Sequence, residues 1–333
     1  MADRRILAAF AAAAVLFGGT FVAAKAGLAY FPPLLFVALR FDIAAVALAV
    51  FAVATTARED LIPETRGDVV GILATGVLAI GLTNALLFVG QQYATSAVAS
   101  IVFSLNPILT PVFAAALLAD ERLSARGAVG MLLGLFGVGL VVDPDPAMFL
   151  DGGVGQLILF AGAVTGALGS VLIRWADSTI SSTVRTAWGL PFAAALSHAL
   201  SLGAGESAAS IVWTPEAVLA LVYVGIFAGA IAYIAYFGLL DRTGAIRANL
   251  VFYAVPVVST LGGWALLDEQ ISGLAIVGFL TIFAGFAVLG TEDVDVRGQV
   301  ARLAGRLPDE VVESEEAEER LGIRNEPRGF ESD

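Results

Sequence analysis

The sequence predicts an all-α polytopic membrane protein, with ten transmembrane helices arranged as two inverted five-helix repeats. Three observations carry this expectation. Of 333 residues, 58% are hydrophobic and only 14% charged, whereas about a quarter are charged in ordinary soluble domains. The apolar residues gather into ten runs, most of them near the ~20 residues that cross a bilayer. The stretch 94–124, ATSAVASIVFSLNPILTPVFAAALLADERLS, also returns in outline at 244–272 as GAIRANLVFYAVPVVSTLGGWALLDEQIS. Each copy starts with small residues and continues as an apolar run interrupted by Pro107 or Pro256. Each ends on Leu-Leu and a carboxylate, Glu121 or Glu269.

The runs fall at 6–30, 34–55, 68–91, 95–118, 126–142, 154–174, 183–203, 215–240, 244–267 and 272–290. Met1 to Arg5 is a short basic start with no small-residue cleavage site behind it, so the first run reads as a retained span. Loop charges set the orientation. With the N-terminus inside, the inner loops hold Arg4, Arg5, Arg58, Arg66, Arg122, Arg126, Arg174, Arg185, Arg242 and Arg247. The outer loops hold Asp143, Asp145, Asp151, Glu206, Glu216, Asp268 and Glu269, and no basic residue. Basic residues accumulate on the cytoplasmic side of membrane proteins. Both termini are therefore expected in the cytoplasm, with the chain in the cell (plasma) membrane.

The halves align. At an offset of 149, Lys25 meets Arg174, Gly76 meets Gly225, Phe88 meets Phe237, Phe103 meets Phe252 and Pro107 meets Pro256. One residue then drops out, and at 148 Glu121 meets Glu269, Gly130 meets Gly278 and Gly137 meets Gly285. Five spans per half is an odd number, so the second half must enter the membrane in the opposite sense, a plan shared by many secondary transporters. The expected division is a first repeat over 1–142, an extracytoplasmic linker over 143–153, a second repeat over 154–290 and a cytoplasmic tail over 291–333. From Thr291 onward, 13 acids face 6 arginines. Val296, Val300, Leu303 and Leu307 sit at helical spacing there, as in a short interfacial helix. The acidic run 313–319 is expected to be disordered.

Polar groups inside spans are costly and tend to face a bundle interior or a wet cavity. Pro107 and Pro256 each remove a backbone donor, which would free the carbonyls of Phe103 and Phe252. Asn84, Phe88 and Gln91 share one face of the third span. Ser96, Ser100 and Ser104 line up with Pro107 in the fourth, as do Asn249, Tyr253 and Thr260 with Pro256 in the ninth. The eighth carries Tyr223, Tyr233 and Tyr236. Arg40 lies about 10 Å deep in the second span at ~1.5 Å per residue. Asp42 follows it about 200° around the helix, so each needs a partner from another helix, from water or from a solute. The cavity candidates are Thr20, Arg40, Asn84, Ser100, Pro107, Tyr233, Asn249, Tyr253 and Pro256. Asp42 is the candidate for proton coupling. His198 reads as structural. With no cysteine and a single histidine, metal sites, disulfides and nucleophilic triads have no residues to build on, so no cofactor, no metal and no enzyme activity is expected.

The run Phe17-Gly18-Gly19-Thr20-Phe21-Val22-Ala23-Ala24-Lys25, then Pro33 with Arg40-Phe41, then Asn106-Pro107 with Asp120-Glu121-Arg122-Leu123, resembles the EamA family of the drug/metabolite transporter superfamily. The second half repeats the Pro256 and Leu267-Asp268-Glu269 elements, so the resemblance covers roughly residues 5–290. It departs at Gly18, where an aromatic is common, and in the added charged tail. The resemblance implies ten helices, cytoplasmic termini and a cavity between the repeats. It also implies outward movement of small metabolites such as amino acids or related amphipathic solutes, by alternating access. The alternatives are a passive facilitator of the same solutes and a non-transporting sensor or scaffold. The expected partners are a small-molecule substrate, the lipid bilayer and, if transport is coupled, protons. A homodimer stays open, and no nucleic acid is expected.

Overall fold

The computed structural model describes residues 2–93, 96–118, 124–142, 153–267 and 273–290. Regular structure among them is helical throughout. Two uninterrupted passes, α1 (Ala2–Gly27) and α2 (Pro33–Thr55), open the first repeat. The third pass joins α3 (Arg66–Leu73), a π-helical segment (Ala74–Leu82) and α4 (Thr83–Tyr93). The fourth is broken into α5 (Ser96–Phe103) and α6 (Asn106–Leu117), and α7 (Ala125–Val142) completes the repeat. The second repeat opens with α8 (Val154–Trp175) and α9 (Ser182–Gly203). Its eighth pass joins α10 (Pro215–Val222), a π-helical segment (Tyr223–Ile231) and α11 (Ala232–Asn249). The last two are α12 (Val251–Leu267) and α13 (Gly273–Gly290).

Five stretches are long and apolar enough to cross a bilayer: Arg4–Gly27, Pro33–Thr55, Arg66–Tyr93, Val154–Trp175 and Pro215–Asn249. The other passes are shorter or broken, or, in α9, diluted by Arg185, Ser197, His198 and Ser201. The passes form one compact unit, Met1–Val288. The second unit, Leu289–Asp333, lies outside the described residues except for its first two. The tail's expected interfacial helix and acidic run, the linker up to residue 152, and Glu121 and Glu269 also lie outside them.

The glycine contacts reveal the symmetry. A Cβ added to Gly76 would stand 2.2 Å from Gly189 O, so the two backbones touch. Shifted by the repeat offset, Gly76 becomes Gly225 and Gly189 becomes Arg40. Gly225 does pack on α2, where its Cβ would meet Ile43 at 3.0 Å and Arg40 O at 3.4 Å. Farther along, Gly137 abuts Gly278 and Ile282, while Gly285 abuts Gly130 and Gly134. Pairs that exchange in this way define a twofold relation between the repeats. With five passes in each repeat, that axis must lie in the membrane plane, so the repeats are inverted. Glycine at these crossings permits the close approach that packing between membrane helices relies on. The two π-helical segments obey the same relation, since 74–82 and 223–231 differ by 149 at both ends.

The two prolines act differently from expectation. Pro107 does not kink a continuous helix. The fourth pass ends at Phe103 and restarts at Asn106, which leaves Pro107 in the first turn of α6, where its missing N–H costs nothing. Pro256 lies inside α12. The carbonyls expected to be free are occupied. Asn106 Nδ2 donates to Phe103 O at 2.9 Å, and Ser104 Oγ donates to Phe252 O at 3.1 Å. The eighth pass turns at Gly244, whose φ of 83° and ψ of 169° suit only glycine without strain.

Two carboxylates fasten the repeats together. Asp68, at the start of α3, is fully buried. Its Oδ1 accepts from Thr179 N at 2.7 Å, Ser178 Oγ at 2.8 Å and Ile180 N at 3.2 Å. Its Oδ2 accepts from Thr65 N at 2.9 Å and Glu64 N at 3.1 Å. It thus closes the capping box of α3 and holds the loop between α8 and α9. In the second repeat, Glu206 accepts from Leu34 N at 3.1 Å and Leu35 N at 2.7 Å, two N–H groups that the first turn of α2 leaves unpaired. Asp68→Asn replaces an acceptor with a donor among donors. It is expected to lower stability by about 2 kcal/mol, measured as a fall in the thermal midpoint of purified protein.

Candidate functional site

The π-helical segments deliver the polar groups to the centre. A π turn holds an extra residue and shifts the register of the helix that follows. In the third pass, Leu78 O accepts from both Thr83 N and Thr83 Oγ1, and the turn after it carries Asn84. In the eighth, Tyr233 holds the equivalent place, 149 residues on. These two copies of one position meet: Asn84 Nδ2 donates to Tyr233 OH at 2.9 Å and to Ile80 O at 2.8 Å.

A cavity of about 60 Å³ opens beside this contact. Its wall contains four pairs of residues related by the repeat: Phe17 with Gly166, Asn84 with Tyr233, Leu87 with Tyr236, and Phe103 with Phe252. The cavity therefore straddles the twofold axis. Thr20, Phe21, Arg40, Ala79, Thr83, Asn106 and Phe237 complete the wall. Sites for drug-sized ligands span roughly 300–1,000 Å³, so the cavity as it stands has room only for a few waters. Aromatic rings supply most of the enclosure. Phe17 stands 5.4 Å from Tyr233 edge-on and 6.1 Å from Phe252 stacked, and Tyr236 is 5.8 Å from Phe252.

Arg40 is 1% exposed. Its NH1 donates to Asn84 Oδ1 at 3.3 Å, and the guanidinium lies 4.9 Å from the Phe41 ring and 5.3 Å from the Phe88 ring. No carboxylate among the described residues pairs with it, and its Nε is buried without a partner. A desolvated cation is costly unless something compensates it. Across the wall the opposite deficit occurs. Asn106 spends its Nδ2 on Phe103 O, which fixes the orientation of the amide, and Asn106 Oδ1 is a buried acceptor with no donor. Thr83 Oγ1 and Thr165 Oγ1 lie 3.0 Å apart nearby. The site thus offers an unspent cation and an unspent acceptor inside an aromatic shell.

Of the sequence candidates, Thr20, Arg40, Asn84 and Tyr233 come together on this wall. The other five stand elsewhere. Ser100 is buried in α5. Pro107 and Pro256 are buried in α6 and α12. Tyr253 OH donates to Met131 O at 2.8 Å. Asn249 sits one layer behind the wall: Tyr236 OH donates to its Oδ1 at 3.0 Å, and its Nδ2 donates to Ser170 Oγ at 2.8 Å. Asp42 is remote from the cavity and pairs with His198 Nε2 at 2.8 Å. Phe17, Thr83, Asn106 and Phe252 join the wall without having been candidates. Asn106, just ahead of a proline at a helix start, carried a readable signal. Thr83 had none, because its inward turn depends on the π segment.

Comparison with known proteins agrees with this architecture. The family model described as the EamA-like transporter family matches twice, at 4–143 and 153–291. The uncharacterized transporter YoaV of Bacillus subtilis is 28% identical over 273 residues, covering 81% of this chain and 91% of its own. The probable amino-acid metabolite efflux pump of Escherichia coli is 26% identical over 286 residues, covering 82% and 91%. One crystal structure, 26% identical, superposes with a TM-score of 0.69 over 86% of this chain and 96% of that one. Two family matches laid end to end, on a helical bundle whose halves exchange across a twofold axis, lead to one conclusion: this chain is a multi-pass membrane protein that belongs to the EamA-like transporter family.

Proposed function

We propose that the chain exports small amphipathic zwitterions, with amino acids and their close derivatives as the substrate class. The observation that carries this reading is the buried Arg40 guanidinium, which has no carboxylate partner and an unpaired Nε. A solute carboxylate would supply the missing anion. Its ammonium would find Asn106 Oδ1, the acceptor left open on the same wall, and its side chain would lie among Phe17, Tyr233 and Phe252. The efflux-pump name of the Escherichia coli relative supports the same class. The cavity sits on the axis between inverted repeats, which suits alternating access by rocking one repeat against the other. The arginine asymmetry of the loops supports a cell-membrane orientation with both termini in the cytoplasm.

Counterflow of radiolabelled L-leucine in proteoliposomes tests the reading. Unlabelled amino acids are expected to compete. Isoamylamine, which lacks the carboxylate, and isocaproate, which lacks the ammonium, are expected to compete at least about tenfold less well, the worth of one charge-assisted hydrogen bond. Equal competition by the amine would overturn the role given to Arg40.

A further inference from the structure

The pair formed by Asp42 and His198 lies outside the cavity and joins the two repeats. Asp42 is on α2 and His198 on α9, and each helix is the other's copy. Asp42 is nine residues into α2, about 13 Å from its start at ~1.5 Å per residue. His198 is five residues from the end of α9. Asp42 is therefore well inside its span, and His198 lies about 7 Å from the end of α9. The side chains are 47% and 40% exposed, on a face that otherwise presents Val46, Val50, Phe192 and Leu202. A salt bridge placed there as mere scaffolding would stabilise little and cost desolvation.

Symmetry makes the pair informative. The repeat offset carries Asp42 to Pro191 and returns His198 to Ala49. The matching crossing of α2 and α9 at the other end of the molecule therefore holds proline and alanine, with nothing to titrate. Histidine is the side chain that exchanges its proton near neutral pH. With the proton on, the pair is a neutral ion pair that suits a closed, dry contact. With the proton off, it is a lone carboxylate in an apolar face, which favours opening that end to water. The one end that responds to protons is thereby distinguished from the end that does not, and a gradient needs that asymmetry to do directed work.

The neighbouring charges face groups other than this pair. Arg40, the other ionised group inside α2, bonds Asn84, and Arg185 on α9 bonds Asp241 at 2.8 Å. Tyr223, Tyr233 and Tyr236, on elements packed against these helices, donate to or accept from core groups. Asp68 and Glu206 hold backbone N–H groups. Arg58, Glu59 and Asp60 follow the far end of α2. Arg66 opens α3, Glu216 lies in the first turn of α10, and Arg242 and Arg247 lie in the later turns of α11.

We infer that Asp42 and His198 together form the proton-binding site that couples transport to a proton gradient. This inference rests on the zwitterion-transport reading above, and two measurements separate the fates of the two. In proteoliposomes, wild-type L-leucine efflux should accelerate at least about fivefold under external acid, the lower end of ordinary coupling energies. Asp42→Asn and His198→Gln should lose that acceleration while keeping exchange of L-leucine at equal pH. Acceleration that persists in either variant overturns the proton site. The second measurement needs no solute. The thermal midpoint of purified wild type should shift between about pH 5.5 and 8.5, and both single variants and the double variant should flatten that shift equally. An unchanged shift in the variants also overturns the site. Absence of L-leucine flux in wild type overturns the transport reading instead, and the thermal comparison then decides the proton site alone.

Discussion

Arg40→Met is expected to abolish amino-acid flux and leave the protein at least as stable as before. The guanidinium is fully enclosed, with one long hydrogen bond to Asn84 and two aromatic faces. Desolvating a cation costs several kcal/mol, and contact with aromatic rings returns about 2 kcal/mol at best. Methionine keeps the length of the side chain and removes the charge. The loss it causes is Asn84 Oδ1 left unpaired, about 1 kcal/mol. The thermal midpoint should therefore stay level or rise. Flux should fall at least about thirtyfold, because a desolvated charge pair is worth 2–5 kcal/mol. A lowered thermal midpoint with flux retained in the variant that stays folded would make Arg40 a structural residue and remove the basis for an anionic substrate group.

Gly76→Ala is expected to cost about 3 kcal/mol, the upper end for overpacking, and Gly225→Ala less than about 1. The two glycines are copies of each other, yet the added methyl meets different matter. At Gly76 it would lie 2.2 Å from Gly189 O and 2.9 Å from Gly189 Cα, both backbone, so α9 would have to move bodily. At Gly225 the nearest atoms are Ile43 Cγ2 at 3.0 Å and Ile43 Cβ at 3.1 Å, with Arg40 O at 3.4 Å, so a shift of a few tenths of an ångström relieves the contact. Thermal midpoints of the two variants measured side by side check the contrast, and equal losses would contradict it. The Gly76 variant should also lose flux, since the π segment it disturbs carries Asn84 to the cavity.

Much of this architecture could be read in the sequence because membrane helices obey simple rules. Span lengths, the pairing of Pro107 with Pro256 and the odd number of passes gave the inverted plan. Arg40, Asn84 and Tyr233 reached the wall because a charge or an amide in hydrocarbon has few places to go. Asn249 and Tyr253 lie on the expected faces but bond groups behind the wall, and Ser100 is buried in α5 away from it, which helical periodicity cannot distinguish from lining a cavity. The π segments were invisible, since Gly76 and Gly225 read as ordinary small residues for packing. The same holds for Asp68. A carboxylate at a span start reads as a loop charge until the loop between α8 and α9 folds around it.

The hydrogen bond from Asn84 to Tyr233 reaches back to how such a chain arises. In an antiparallel pair of identical subunits, whatever residue stands on the axis confronts its own likeness, and a tyrosine or an asparagine would have to serve both sides of the contact. Joining the two copies in one gene lifts that constraint. Each half can then mutate alone, and one position can split into a giver and a taker.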